Sequence, residues 1–314
     1  MNELTLATGV FDLFHVGHLR YLQQASALAK GQLLVGVVSD AEAQRVKGRL
    51  PLVPEQQRLE LVSAVTGVQA VRLQPISTDN ASAVDWIQAR GVTQVILSAN
   101  GEKNKNVQLL EKTLKQRGIA LRYLPQTAPI SSSSIREQLA TPVNMAVSPT
   151  LAGVPQIDLP FKPKQLNKNR VLVTGVFDPL HYGHLRFLQQ AAQRGDELLV
   201  GVLSDELVYA NKGRYPVFTL EQRRELLQGL NCVDAVLTIE ESLHIPEFSI
   251  AWLQALAIDQ LICCSQWQGT NHWQRFESAL NQEGIEMSCL PTASDISSLL
   301  IQQRIAQKRA SYLV

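Results

Sequence analysis

Residues Thr8–Ala25 read TGVFDLFHVGHLRYLQQA and residues Thr174–Ala191 read TGVFDPLHYGHLRFLQQA, so fourteen of eighteen positions repeat at a spacing of 166. The likeness continues outward. Leu33–Asp40 (LLVGVVSD) returns as Leu198–Asp205 (LLVGVLSD), now at a spacing of 165, so one residue is lost between the two blocks of the second copy. A surface loop tolerates that. Lys47–Pro51 (KGRLP) returns as Lys212–Pro216 (KGRYP), EQQR ending at Arg58 as LEQR... ending at Arg223, and Ile130-Ser131-Ser132 as Ile296-Ser297-Ser298. So many separated matches in one order indicate a duplicated domain.

Each copy alternates short apolar runs with segments of helical period. Leu4–Ala7 and Arg170–Val173 suit buried strands, and His18–Ala29 and His184–Ala192 follow with apolar residues on one helical face. Leu33–Val38 and Leu198–Leu203 predict the next strands, and Glu55–Val65 and Leu220–Leu230 predict helices. Gln69–Leu73 and Ala235–Thr238 predict further strands; Trp86 and Trp252 lie on predicted helices ahead of strands Gln94–Leu97 and Gln260–Cys263. Strand-helix alternation of this kind predicts an α/β fold, a doubly wound parallel sheet in each copy. The expected boundaries are 1–140 for the first domain and 169–314 for the second. The stretch between them, 141–168, carries Pro142, Pro149, Pro155, Pro160 and Pro163, too many for a helix or a central strand. It is expected to be an extended linker, or else an ordered arm laid across one copy.

Composition narrows the possible tasks. The 314 residues are 45% hydrophobic and 18% charged, enough for ordinary buried cores. Lys and Arg number 29 against 28 Asp and Glu, a net charge of +1, which argues against nucleic acid as a partner because such binding rests on many phosphate-neutralising cations. No apolar run reaches the ~18 residues of a membrane span, and the start, Met1-Asn2-Glu3-Leu4, lacks the basic flank of a secretion signal. Cys232, Cys263, Cys264 and Cys289 have no metal-like spacing and read as reduced thiols of a cytoplasmic protein.

The chemistry concentrates where the first strand of each copy hands over to a helix. Four of the six histidines fall in two H-x-G-H motifs, His15, Gly17, His18 and His181, Gly183, His184; His244 and His272 have no counterpart and stay unassigned. A helix N-terminus presents unsatisfied N–H groups and partial positive charge, so a phosphate is stabilised there. A glycine lets the ligand approach the backbone, and two flanking imidazoles can donate to phosphate oxygens. Zinc lacks a third recurring ligand in either motif, so no metal site is assigned. The alternative is a pair of histidines that only cap and pack.

Gly-x-Phe-Asp-x-x-His-x-Gly-His, followed by Lys-Gly-x-x-Pro and a later Ile-Ser-Ser, resembles the cytidylyltransferase family of nucleotidyltransferases. The tandem layout resembles ethanolamine-phosphate cytidylyltransferase, and Lys-Gly-Arg-x-Pro the adenylyltransferase domains of heptose-phosphate enzymes. The resemblance implies two tandem Rossmann-like nucleotidyltransferase domains, the first catalytic and the second weaker or degenerate, packed as a pseudo-dimer. It implies transfer of a nucleoside monophosphate, CMP favoured, from CTP or ATP to a small phosphorylated alcohol or sugar, with Mg²⁺ accompanying the nucleotide. It also implies site residues: His15, His18 and Lys47 as catalytic groups, with Gly9, Phe11, Asp12, Gly17, Arg49, Arg58, Ser131, Ser132 and Ser133 around the nucleotide. In the second copy His181, His184 and Lys212 correspond, with Gly175, Phe177, Asp178, Gly183, Arg214, Arg223, Ser297 and Ser298. For the cations the alternative is a solvated surface charge; for the serines, and for Ser134 above all, it is helix capping alone.

Two departures leave the choice of nucleotide open. Leu299 stands where the first copy has the hydroxyl of Ser133, and the family's Gly-x-Asp is replaced by Ser98-Ala99-Asn100 and Cys264-Ser265-Gln266. An ATP-using adenylyltransferase and a nucleotide sensor without turnover therefore remain as rivals. A tRNA-charging enzyme shares the H-x-G-H idea, but no Lys-Met-Ser-Lys-Ser-like loop follows.

Overall fold

The computed structural model describes residues 3–77, 79–99, 105–125, 130–140, 164–165, 167–241, 246–265, 269, 271–291, 296–298, 300–301 and 303–305. The chain divides into two compact units, Met1–Glu137 with Arg304–Val314, and Gln138–Gln303. Most of the expected linker, 141–163, lies outside the described residues, as do His244 and Leu299.

In unit 1 the elements run β1 (Leu4–Gly9), α1 (Val16–Leu28), β2 (Gln32–Val38), α2 (Asp40–Lys47), α3 (Glu55–Ser63), β3 (Ala70–Gln74), α4 (Asn80–Gln88), β4 (Val92–Ser98), α5 (Lys105–Gln116), β5 (Ala120–Leu124) and α6 (Ser132–Ala140). Every strand pairing is parallel, and the sheet order is β3-β2-β1-β4-β5. The chain winds outward from β1 through β2 to β3, then crosses back to place β4 and β5 on the other side. The reversal leaves a crevice beyond the carboxyl ends of β1 and β4, where open α/β sheets bind ligands.

Helices cover both faces of such a sheet, so its central strands read as continuous apolar runs instead of alternating ones. Leu33, Leu34, Val35 and Val37 of β2 are all buried, as are Leu6 and Ala7 of β1. Leu6 and Leu34 pack with Val84 and Ile87 of α4 and Leu114 of α5 in one core cluster. Asp79 caps α4, and Ser82 answers it in a reciprocal capping box.

The second unit repeats the plan with β6 (Arg170–Gly175), α7 (Tyr182–Ala192), β7 (Glu197–Leu203), α8 (Asp205–Lys212), α9 (Leu220–Gln228), β8 (Ala235–Ile239), α10 (Pro246–Ala255), β9 (Gln260–Cys264), α11 (Asn271–Gln282) and β10 (Glu286–Leu290). Its sheet is again parallel, with the order β8-β7-β6-β9-β10. Trp273, Phe276 and Leu280 of α11 bury against Leu253 of α10 and Leu261 of β9.

Two differences from the sequence reading bear on the site. Both first helices start earlier than their apolar period suggests, α1 at Val16 and α7 at Tyr182, because His15 and His181 act as N-caps. An imidazole is not a usual capping group, so the start is not visible from residue type. The short helices α2 and α8 were not foreseen either. Their signals are Ser39 and Ser204, each accepting a backbone N–H three residues on, and Gly48 and Gly213 closing them in the left-handed conformation.

Candidate functional site

The crevice of unit 1 holds a cavity of about 380 Å³ at the ends of β1 and β4. Its floor is the β1–α1 turn. His15 has extended backbone (φ −141°, ψ 171°), and its Nδ1 accepts the Gly17 N–H at 3.1 Å. A neutral imidazole that accepts at Nδ1 carries its proton on Nε2, which leaves that N–H as a donor. His18, one turn on, stacks on His15 with centroids 3.9 Å apart, and Phe11 meets it edge-to-face at 5.3 Å. Burial pushes the His15 pKa down to about 4 and that of His18 well below the ordinary value, where His15 and Lys47 push the same way. Both rings are therefore neutral donors at pH 7. The Nδ1 of His18 is buried with no hydrogen-bond partner among the described residues, an unpaired polar atom of the kind native structures seldom leave without a reason.

Packing explains the two glycines of the turn. A Cβ on Gly17 would lie 3.0 Å from the His15 ring, and one on Gly9 would lie 2.9 Å from the Phe11 ring. Phe11 itself adopts φ 55°, as does Phe177 in the second copy, a conformation costing an aromatic residue about 1–3 kcal/mol. Its recurrence shows that the turn is built around the folded-back ring.

Cations and a second helix N-terminus close the cavity. Lys47, Arg49 and Arg136 line it with a single carboxylate, Asp12. Enclosure pushes the Lys47 ammonium below its ordinary range; Arg49 and Arg136 add to the shift, and Asp12 opposes it. Ser131, Ser132 and Ser133 line the opposite wall. Ser131 Oγ accepts the Ser134 N–H at 3.1 Å and Ser134 Oγ donates to the Ser131 carbonyl at 2.8 Å, so Ser134 does serve the cap. Ser132 Oγ donates to the Asp12 carbonyl at 2.7 Å, tying α6 to the floor. The N-termini of α1 and α6 thus meet at one cavity.

Two sequence expectations are corrected in role. Arg58 and Arg223 were expected beside the nucleotide, yet both side chains are fully buried in the framework. Arg58 donates to the carbonyls of Val10, Val38 and Val53 and pairs with Asp40 at 2.6 Å. Arg223 does the same with Val176, Leu203 and Phe218 and with Asp205 at 2.6 Å. Their donors are committed to protein, so they clamp strand ends instead of facing a ligand. Asp12 does line the cavity, but its Oδ1 accepts the Leu52 and Val53 N–H groups at 3.0 Å and its Oδ2 pairs with Arg136.

Sequence reasoning missed Arg136, Tyr21 and Thr8, which also line the cavity. Tyr21 Oη donates to the Ile96 carbonyl at 2.7 Å, bridging the ends of β1 and β4. Arg136 escaped because recurrence was the guide, and the matching residue of the second copy is Gln302.

In unit 2 the same turn recurs. His181 caps α7 by accepting the His184 N–H at 3.3 Å, and the two rings stack at 3.7 Å. Burial pushes the His181 pKa down to about 4 and that of His184 well below its ordinary value. A Cβ on Gly183 would lie 3.3 Å from the Ile296 carbonyl, so the serine segment packs against H-x-G-H here too. Ser297 Oγ accepts the Leu300 N–H at 3.1 Å, and Ser298 opens the helical segment. Lys212 is lowered by enclosure and by Arg214, with Asp178 opposing. Asp178 accepts the Val217 and Phe218 N–H groups at 2.7 and 3.0 Å, and burial raises its carboxyl pKa. The turn that packs Gly175 against Phe177 repeats that of unit 1.

Among the described residues no three His, Cys, Asp or Glu side chains gather to hold a metal ion, and no helix is long and apolar enough to cross a membrane. With Asp12 already committed, the donor set does not suit a resident Mg²⁺.

Comparisons agree with this architecture. A probable ethanolamine-phosphate cytidylyltransferase of Encephalitozoon cuniculi is 27% identical over 245 residues, covering 73% of each chain. An FAD synthase of Thermococcus kodakarensis is 54% identical over 69 residues, so the match spans 22% of this chain and 46% of that relative. The bifunctional protein HldE of Hydrogenovibrio crunogenus is 49% identical over 72 residues, which is 23% of this chain and 15% of that one. The chain thus spans about half the length of the FAD synthases it matches. The cytidylyltransferase-like family model matches residues 6–138 and again 172–304, each stretch carrying one H-x-G-H turn on a five-stranded parallel sheet: this chain belongs to the cytidylyltransferase-like family, and does so twice along its length.

Proposed function

We propose that this chain is a nucleotidyltransferase that moves a nucleoside monophosphate, CMP in the first reading, from a nucleoside triphosphate to the phosphate of a phosphorylated alcohol or sugar. One observation carries the reading: two helix N-termini, Lys47, Arg49, Arg136 and two neutral imidazoles converge on one cavity with a single, already neutralised carboxylate. Such a surface fits a polyphosphate.

In the reaction an acceptor phosphate oxygen attacks the α-phosphorus, a new P–O bond forms, and the bond to the β,γ-phosphates breaks to release pyrophosphate. Positioning and charge neutralisation suffice for this chemistry, without a covalent nucleophile. The Nε2–H of His15 and the neutral His18 imidazole stacked on it donate to phosphate oxygens as charge grows there, and Lys47 with Arg136 holds the leaving phosphates. With no carboxylate left for a resident metal, any Mg²⁺ would come as part of the substrate nucleotide, where it would help neutralise phosphate charge. Unit 1 is the catalytic copy in this reading. Unit 2 retains the turn but has Gln302 and Leu299 where unit 1 has Arg136 and Ser133.

The test is pyrophosphate release from CTP and from ATP with a panel of phosphomonoesters. Wild type turns over with one of the nucleotides, and His18→Ala loses roughly 10²–10³ in rate, the usual cost of one transition-state group. Equal rates for the two proteins would refute the assignment. ATP is the second reading, favoured by the 54% identity over 69 residues to an FAD synthase; the same assay separates the two.

A further inference from the structure

One side chain of α1 turns back to the sheet where its two central strands part. β1 pairs with β2 as far as Gly9 and Val37, but with β4 only as far as Ala7 and Ile96, although β4 itself runs on to Ser98. At that parting Tyr21 Oη donates to the Ile96 carbonyl at 2.7 Å and accepts the Thr8 N–H at 3.3 Å. One hydroxyl, both donor and acceptor, thus stands between the backbones of the diverging strands. Burial pushes the phenol pKa well above its ordinary value, so the hydroxyl keeps its proton. On the other flank Thr8 Oγ1 donates to Gln74 Oε1 at 2.5 Å, tying the end of β1 to the end of β3. The ring of Tyr21 lies with its centroid 6.4 Å from that of Phe11, Phe11 meets His18, and His18 stacks on His15. A continuous row of rings therefore runs from the anchored phenol to the residue that caps α1.

The second copy provides an internal control. Its strands part at the same place, since β6 pairs with β9 as far as Val173 and Ile262, and it keeps the stacked imidazoles with Phe177 edge-on to His184. Yet Phe187 stands for Tyr21 and Ile239 for Gln74, both buried. The winding and the turn are thus compatible with apolar groups at these positions. Exchanging buried hydrogen-bonding partners for apolar groups of similar shape can be nearly neutral for stability. What the polar version adds is direction: a hydrogen bond fixes distance and angle, whereas apolar contact is non-directional. Unit 1, whose cavity the cations line, keeps the polar version.

We propose that Tyr21 is a positioning residue of the unit 1 site. Its hydroxyl fixes the end of β1 against β4, and its ring passes that constraint through Phe11 to the paired imidazoles. The inference rests on the transfer reading and deepens it. Transfer depends on where His15 and His18 stand, and misplacement of a reacting group by about 1 Å can cost about 10²-fold in rate. Tyr21 lines the cavity as well, but it acts through the imidazoles, so its loss falls on the chemical step and not on binding.

The experiment compares the full chain with Tyr21→Phe, which removes one oxygen and installs the residue type of the second copy, in the pyrophosphate-release assay. Wild type is read first; no turnover with either nucleotide refutes the transfer reading and takes this inference with it. In Tyr21→Phe, kcat per mole of folded protein should fall about tenfold, with KM for nucleotide and acceptor within about twofold of wild type. The melting temperature should drop by no more than about a few degrees, the effect of one net hydrogen bond. An unchanged kcat, or a loss confined to KM, would overturn the positioning role while leaving nucleotidyl transfer standing. A variant unfolded at the assay temperature would overturn it too, by making the hydroxyl part of the framework alone.

Discussion

His15 shows how much one residue can be asked to do. It caps α1, orients its own tautomer through the Gly17 N–H, and stacks on His18, all while buried. Burial has a measurable cost in acid. An unfolded chain protonates His15 and His181 near 6.5, whereas the folded chain resists until about 4. Between those values the unfolded state holds more protons, so stability falls as pH drops through that window, and above 6.5 these groups contribute no slope. The urea midpoint should therefore decline from pH 7 to pH 5. In His15→Asn/His181→Asn, where asparagine can still cap, that decline should be clearly shallower. An identical slope in the variant would place the acid sensitivity elsewhere. The thiols behave conversely: burial pushes Cys232 up to about 11 and Cys263 to about 12, so neither is a reactive thiolate at neutral pH.

Between elements the decisive device is the buried arginine. Arg58 joins the end of β1 (Val10), the end of β2 (Val38), the start of α3 (Val53) and the first residue of α2 (Asp40). Those are the elements that carry the H-x-G-H turn and Lys47 to the cavity. Removing the buried guanidinium leaves the Val10, Val38 and Val53 carbonyls without that donor, and a stranded buried acceptor costs about 1–3 kcal/mol. Arg58→Met should lower the unfolding free energy by about 2–4 kcal/mol in urea titration. Folded Arg58→Met with wild-type stability would return Arg58 to the list of ligand contacts. The recurrence of Arg58 and Arg223 was plain from the sequence, but recurrence signals a shared constraint without saying which kind. Full burial decides for the framework.

Across the whole molecule, two copies of one fold present unequal sites. Both keep stacked imidazoles at a strand–helix junction, but among the described residues the arginine–aspartate pair at the turn, Arg136 with Asp12, belongs to unit 1, and the second copy has Gln302 at the place of Arg136. With unit 1 as the catalytic copy, His18→Ala should abolish most turnover, whereas His184→Ala should retain at least about half of it. Comparable losses from the two variants would instead make both sites catalytic. Calorimetry with the non-hydrolysable triphosphate counts the sites that bind.

Duplication, the α/β winding and the position of the H-x-G-H turn were determined by sequence alone, because strand and helix periods and an eighteen-residue repeat are local properties of the chain. Ser131, Ser132 and Lys47 could be singled out for the same reason, as parts of segments that recur. Tertiary structure alone decided what those segments do together. It turned Arg58 inward and brought Arg136 across 124 positions to Asp12. Burial and pairing between distant residues depend on how the sheet closes its crevice, and no local pattern of residue types records that.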